Sequence, residues 1–151
     1  MEKYIGTKQL KATPMTLGDY NNMRGWVDKD GDQLAPGYLV EYQDGGKPNL
    51  PGYDGYVSWS PQDVFERSYR PFTGLTFGAA LEAMKAGHKV ARHGWNGKGM
   101  WIAYEAGSLS LSTGVLDVLP CIAMKTADNK MLRGWLASQT DMLAEDWTVV
   151  E

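Results

Sequence analysis

At 151 residues, with 43% hydrophobic and 22% charged residues, the chain is long enough to bury a core as one domain or two small ones. Its formal net charge of −3 is evenly spread, with 8 basic and 10 acidic residues in 1–72 against 7 and 8 in 73–151, so there is no basic arm and no direct DNA binding is expected. No apolar run approaches bilayer length, and Met1-Glu2-Lys3-Tyr4 does not lead into a signal-type core, so no membrane partner is expected either. The single cysteine, Cys121, rules out an internal disulfide and a cysteine-cluster metal site, and is expected to be a buried small hydrophobe.

Along the chain, Thr16 to Met23 has the makings of a short helix. Turn signals follow at Pro36-Gly37, Asp44-Gly45-Gly46 and Pro51-Gly52. Between them Tyr38 to Tyr42 and Gly55 to Trp59 are aromatic and β-branched, which predicts a hairpin closed by the long loop Gln43 to Asp54. Ser60 is then expected to cap a short helix with Pro61 at its first position and Val64 and Phe65 as apolar anchors. The composition changes near residue 72. Residues 1–72 thus form a small aromatic-rich α+β module, with too few Leu, Ile and Val for its core to look self-sufficient.

Residues 73–151 are more regular. Thr76 is placed to cap a helix in which Phe77, Ala80, Leu81 and Met84 share one face and which Gly87 ends. His88 to Arg92 alternates as a strand with Val90 and Arg92 on the same side; Met100 to Tyr104, Ile122 to Thr126 and Trp147 to Val150 are further strands. Gly107 to Leu119 fits a meandering hairpin and a chain-to-chain packing loop equally well. The fold class is α+β: a mainly antiparallel sheet with short flanking helices.

Chemistry concentrates in two places. In Ala91 to Trp101, a guanidinium (Arg92), an indole (Trp95), an amide (Asn96) and an ammonium (Lys98) crowd onto a glycine-rich loop. Arginine offers paired donors to phosphate and lysine a point charge, while the indole could stack on a base and the amide read its edge. The bland alternatives are a solvated ion-pair surface for the cations, core filling beside Trp101 for Trp95, and a turn for Asn96-Gly97. Downstream, Ser138 and Asp141 form an S-x-x-D helix start, and Gln139 and Thr140 are polar without being required by a cap. Asp128, in Lys125 to Asn129, marks a turn or accepts hydrogen bonds from a ligand.

Catalysis is poorly supported, and no enzyme activity, metal or cofactor is expected. His88 and His93 belong to no metal pattern, Cys121 has no placed base, Glu145 and Asp146 sit side by side on a polar helix end, and Gly94-x-x-Gly97-x-Gly99 is not a dinucleotide fingerprint.

The block LTFGAALEAMKAGHKVARHGWNGKGMW (75–101), followed by MKTADNK (124–130) and WLASQTDMLAEDW (135–147), resembles the phage and prophage family of Thoeris anti-defence 2 proteins. The resemblance implies a homotetrameric sponge that holds cyclic ADP-ribose isomers, in some members cyclic oligonucleotides, without cleaving them. It places the protein in the cytoplasm of an infected or lysogenic bacterium, where it would blunt anti-phage defence. The family's tryptophan-asparagine loop falls on Trp95 and Asn96, and its late polar helix start on Ser138 to Asp141. Residues 4–21 and 55–71 resemble an accessory module of uncharacterised phage proteins. The competing expectation is an adaptor or inhibitor that docks a host protein through residues 38–72.

Overall fold

The computed structural model describes residues 1–27, 31–95 and 97–151, which fold as two compact units, Met1–Tyr69 and Arg70–Glu151. The first is built on a three-stranded antiparallel sheet in the order β1 (Leu10–Pro14), β2 (Gly37–Tyr42), β3 (Val57–Pro61), with helices α1 (Leu17–Arg24) and α2 (Gln62–Ser68). Thr16 caps α1 by accepting from Asp19 N–H, and Gly25 ends it in the left-handed conformation that glycine adopts without strain. Tyr20, Leu39 and Val57 make a small core, joined by Met15, Leu50, Tyr53 and Trp59. The loop between β2 and β3 is tied down from inside. The buried Glu41 carboxylate accepts from Asp54 and Gly55 N–H, and the Asn49 amide pairs with both backbone groups of Val57.

Ser60 does not cap α2. It remains in β3 opposite Tyr38, and Pro61 occupies the cap position without any side-chain bond, because strand pairing with β2 runs through both residues. The β1 edge strand has no counterpart among the expected elements.

In the second unit, α3 (Phe77–Lys85) covers a five-stranded antiparallel sheet in the order β7-β6-β5-β4-β8. The strands are β4 (Lys89–Arg92), β5 (Trp101–Leu111), β6 (Gly114–Lys125), β7 (Met131–Arg133) and β8 (Trp147–Val150), with the single-turn helix α4 (Gln139–Met142) before β8. Thr76 accepts from Ala79 N–H at the start of α3, and Ala80, Ala83 and Met84 turn its apolar face onto Val90, Ile102, Met124 and Trp147. Fully burying side chains the size of Met84, Val90 or Ile102 stabilises by roughly 1.5–3 kcal/mol each.

The ambiguous stretch 107–119 is the end of one long β5–β6 hairpin, whose register slips between Glu105 and Gly107 at an irregularity of the bulge kind. Cys121 is only half-buried, opposite Glu105 on β6. It lies on an inner strand, β6 between β5 and β7, but outside the core that α3 covers. Asp146 is not on a helix end: α4 finishes at Met142, and Asp146 immediately precedes β8.

Candidate functional site

The register of β4 against β8 puts Arg92 opposite Trp147, so the end of one strand meets the beginning of the other. Asp146 therefore lands beside Arg92, and its carboxylate receives Nε at 2.8 Å and Nη2 at 3.3 Å in a two-point fork. Arg92 Nη1 donates to Asp141 Oδ1 at 3.0 Å. The Arg92 side chain is only 16% exposed. The hydrogen bonds from Arg92 hold the Asp146 carboxyl below its ordinary range against the opposing effect of burial.

Asp141 joins three segments. Its burial pushes the carboxyl up, but donors from Ser138, Arg92 and Trp95 together hold it below the usual carboxylate range. Ser138 Oγ and N–H donate to Oδ2 at 2.7 and 3.1 Å, and Ser138 Oγ in turn accepts from Asp141 N–H at 3.1 Å, a complete capping box. Trp95 Nε1 reaches Oδ1 at 3.4 Å, and Trp147 Nε1 donates to the Asp141 carbonyl at 3.0 Å. Around this knot the Trp95 ring stands edge-on to Trp135 and Trp147, with centroids 5.9 and 5.4 Å away.

The loop after β4 is fastened at its start. His93 N–H donates to the Asp146 carbonyl and Gly94 N–H to the Asp146 carboxylate. Further along, a Cβ on Gly97 would lie 3.1 Å from the Cβ of Ala127, which brings the turn after β6 against the same loop. In that turn Asp128 accepts from Thr126 Oγ1 at 2.6 Å and pairs with Lys130 at 2.7 Å; Asn129, at φ 64°, takes the left-handed conformation. The Lys130 and Thr126 donors keep the Asp128 carboxyl low.

Residues far apart in sequence are thus neighbours in the fold: Arg92, Trp95, Ser138 and Asp141 through direct contacts, and Asp128 through the turn that abuts Gly97. Lys98, Gln139 and Thr140 are exposed. Asn96 lies outside the described residues. Arg92 and Asp141 spend their hydrogen bonds within the protein, which leaves Lys98 as the exposed cation of the predicted set. The partners that sequence reasoning missed are Asp146 and Trp135. No local pattern marks either, because Asp146 meets Arg92 only through strand register and Trp135 meets Trp95 only through packing. An open groove of about 320 Å³ in the first unit, lined in part by Pro14, Pro36 and Tyr38, contains none of the predicted ligand-binding residues. Among the described residues, no three His, Cys, Asp or Glu side chains are grouped to hold a metal ion, and no helix is long and apolar enough to cross a membrane.

Residues 75–150, the span holding this whole arrangement, match the family model described as the Thoeris anti-defense 2-like domain. The chain belongs to this family. The protein called Thoeris anti-defense 2 from Bacillus phage SP01 is 42% identical over 87 residues, covering 52% of this chain and 97% of the relative. The Thoeris anti-defense 2-like domain accordingly begins at Leu75, the residue whose backbone bridges to Trp147, and ends in β8. The first unit lies outside the family match.

Proposed function

We propose that this protein blocks bacterial anti-phage defence by sequestering a cyclic ADP-ribose type signal, or a related cyclic nucleotide, without chemical turnover. The observation that carries the reading is the meeting of Trp95 with Asp141 and the start of α4, within a domain of the Thoeris anti-defense 2-like family. Trp95 supplies an aromatic wall for a base, Lys98 a point charge for a phosphate, and Gln139 and Thr140 neutral hydrogen-bonding groups for ribose hydroxyls. Arg92 and Asp141 hold these parts in place. With α4 only one turn long, its dipole adds little, so Lys98 supplies most of the charge. Asp141 and Asp146, both kept ionised by their donors, are poor candidates for a general acid near neutrality.

The same reading makes the working form a homo-oligomer, a tetramer, in the cytoplasm of the infected host. The β5–β6 hairpin supports self-association. Its register sets Leu109 opposite Leu116 and Gly107 opposite Val118 on one face, with Ser108 opposite Asp117 on the other. A two-stranded ribbon is marginal by itself, and Leu109 and Leu116 are 41% and 59% exposed on its apolar side.

The adaptor alternative has less to draw on. Tyr38 stacks on Phe65, Phe65 leans on Tyr69, and Trp59 donates to Met15, so much of the aromatic content of 38–72 is used within its own unit. Calorimetric titration of the full chain with a panel of cyclic ADP-ribose linkage isomers and cyclic dinucleotides tests the proposal. Binding at micromolar ligand or tighter is expected for at least one cyclic compound, and not for linear ADP-ribose. Absence of binding across the panel, with a host protein captured through residues 1–72 instead, would replace it with the adaptor.

A further inference from the structure

The start of the Trp95 loop is bonded to a residue that neither the loop nor α4 contains. Asp146 touches the loop in three ways: its carbonyl accepts from His93 N–H at 3.1 Å, its carboxylate accepts from Gly94 N–H at 3.3 Å, and the same carboxylate forks Arg92. Arg92 reaches on to Asp141, which holds both the Ser138 cap and the Trp95 indole. The path from Asp146 to Trp95 therefore runs by two routes, one through the Gly94 backbone and one through Arg92 and Asp141. Because Asp146 opens β8, whose next residue Trp147 is fully buried, the anchor sits on the sheet rather than on another loop.

We propose that Asp146 is the positioning residue of the binding site, setting the Trp95 loop against α4 without touching the ligand. The proposal rests on the sequestration reading for what the loop holds, though not for the positioning itself. It makes an unusual demand on sign. If Asp146 acted only through its charge, removing a carboxylate near a phosphorylated ligand would tighten binding, most of all at low salt. If it positions, removing it weakens binding, and the loss persists at high salt.

Two variants separate the possibilities. Asp146→Asn keeps an oxygen for Gly94 N–H and loses the ionic half of the fork, whereas Asp146→Ala loses both. Amide hydrogen exchange on the ligand-free chain should rise for Gly94 and Trp95, modestly in Asp146→Asn and about tenfold or more in Asp146→Ala, while α3 and the β5–β6 amides keep their protection. Titration with the cyclic ADP-ribose isomer that the unaltered chain binds best should give roughly threefold weaker binding for Asn and tenfold or more for Ala, at both low and high salt. Unchanged exchange at Gly94 in both variants overturns the proposal, as does affinity that holds or improves. Loss of protection throughout the second unit overturns it too, since Asp146 would then hold up the fold at large. If the unaltered chain binds no isomer, the sequestration reading fails and the exchange measurement alone decides whether Asp146 sets the loop.

Discussion

A guanidinium that faces two carboxylates at 2.8 and 3.0 Å has little charge left for a third anion, and Arg92 is in that position. Two residues of the same loop differ from it and from each other. Trp95 is half-buried, its ring against Trp135 and Trp147 rather than beside Trp101, with its indole N–H committed to Asp141. Replacing it with alanine should therefore do two things at once: lower stability by about 2 kcal/mol, less than a fully buried tryptophan costs, and weaken ligand affinity by about tenfold to a hundredfold through the lost stacking face. Thermal unfolding and titration of the folded fraction measure the two separately; a stability loss with unchanged affinity would make Trp95 a packing residue alone. Lys98 is exposed, so Lys98→Ala should leave the melting temperature nearly unchanged and weaken binding most at low salt. Equal loss at 50 mM and at about 500 mM salt would mean that its role is not charge.

Elements differ in how much of themselves they show in sequence. Helix α3 is legible from end to end because cap, apolar face and terminating glycine are all local: Thr76, the Ala80 and Met84 stripe, and Gly87 at φ 98°. The capping box of α4 is legible for the same reason. Strand β1 is not, since four of its five residues are exposed and no alternation marks a buried face; β7 is three exposed residues long. The hairpin beyond Glu105 leaves two readings open in sequence because its apolar side has no cover within its own sheet. The candidate site divides likewise. Its loop and its helix start are visible as residue types, whereas the Arg92–Asp146 fork depends on a strand register joining residues 54 apart.

The carboxylates that join these elements have a pH signature. Asp141 and Asp146 in the second unit and Glu41 in the first, where Gly55 and Asp54 N–H donate to it, all have folded values below their ordinary ones. The folded state then binds fewer protons than the unfolded chain in that range. The stability they contribute is fully present above the ordinary carboxylate values of the unfolded chain, about pH 4, and is lost as pH falls through the depressed folded values. Acid titration followed by near-ultraviolet circular dichroism of the tryptophan cluster should show that fall. In Asp141→Asn it should start from a stability lower by about 1–3 kcal/mol and be shallower, because a cap and an ion-pair partner are already gone. An unchanged acid limb in this variant would mean that Asp141 does not link pH to folding.

At the scale of the molecule, one unit carries the family match while the other, with its own small core, lies outside it. Assembly is the property that the hairpin bears on most. Leu116→Asp places a charge in the apolar face of the ribbon and should reduce a tetramer to smaller species by light scattering without unfolding the α3 core. A tetramer that survives the change would be held by another surface. The central claim is that the protein holds a signal and does not process it. Its most direct test is to incubate the full chain with cyclic ADP-ribose isomers, remove free ligand, release the bound fraction by heat and weigh it by mass spectrometry. The account predicts that the same cyclic compound comes back intact, in amounts near one per site; recovery of a hydrolysed or rearranged product, or of nothing, would contradict it.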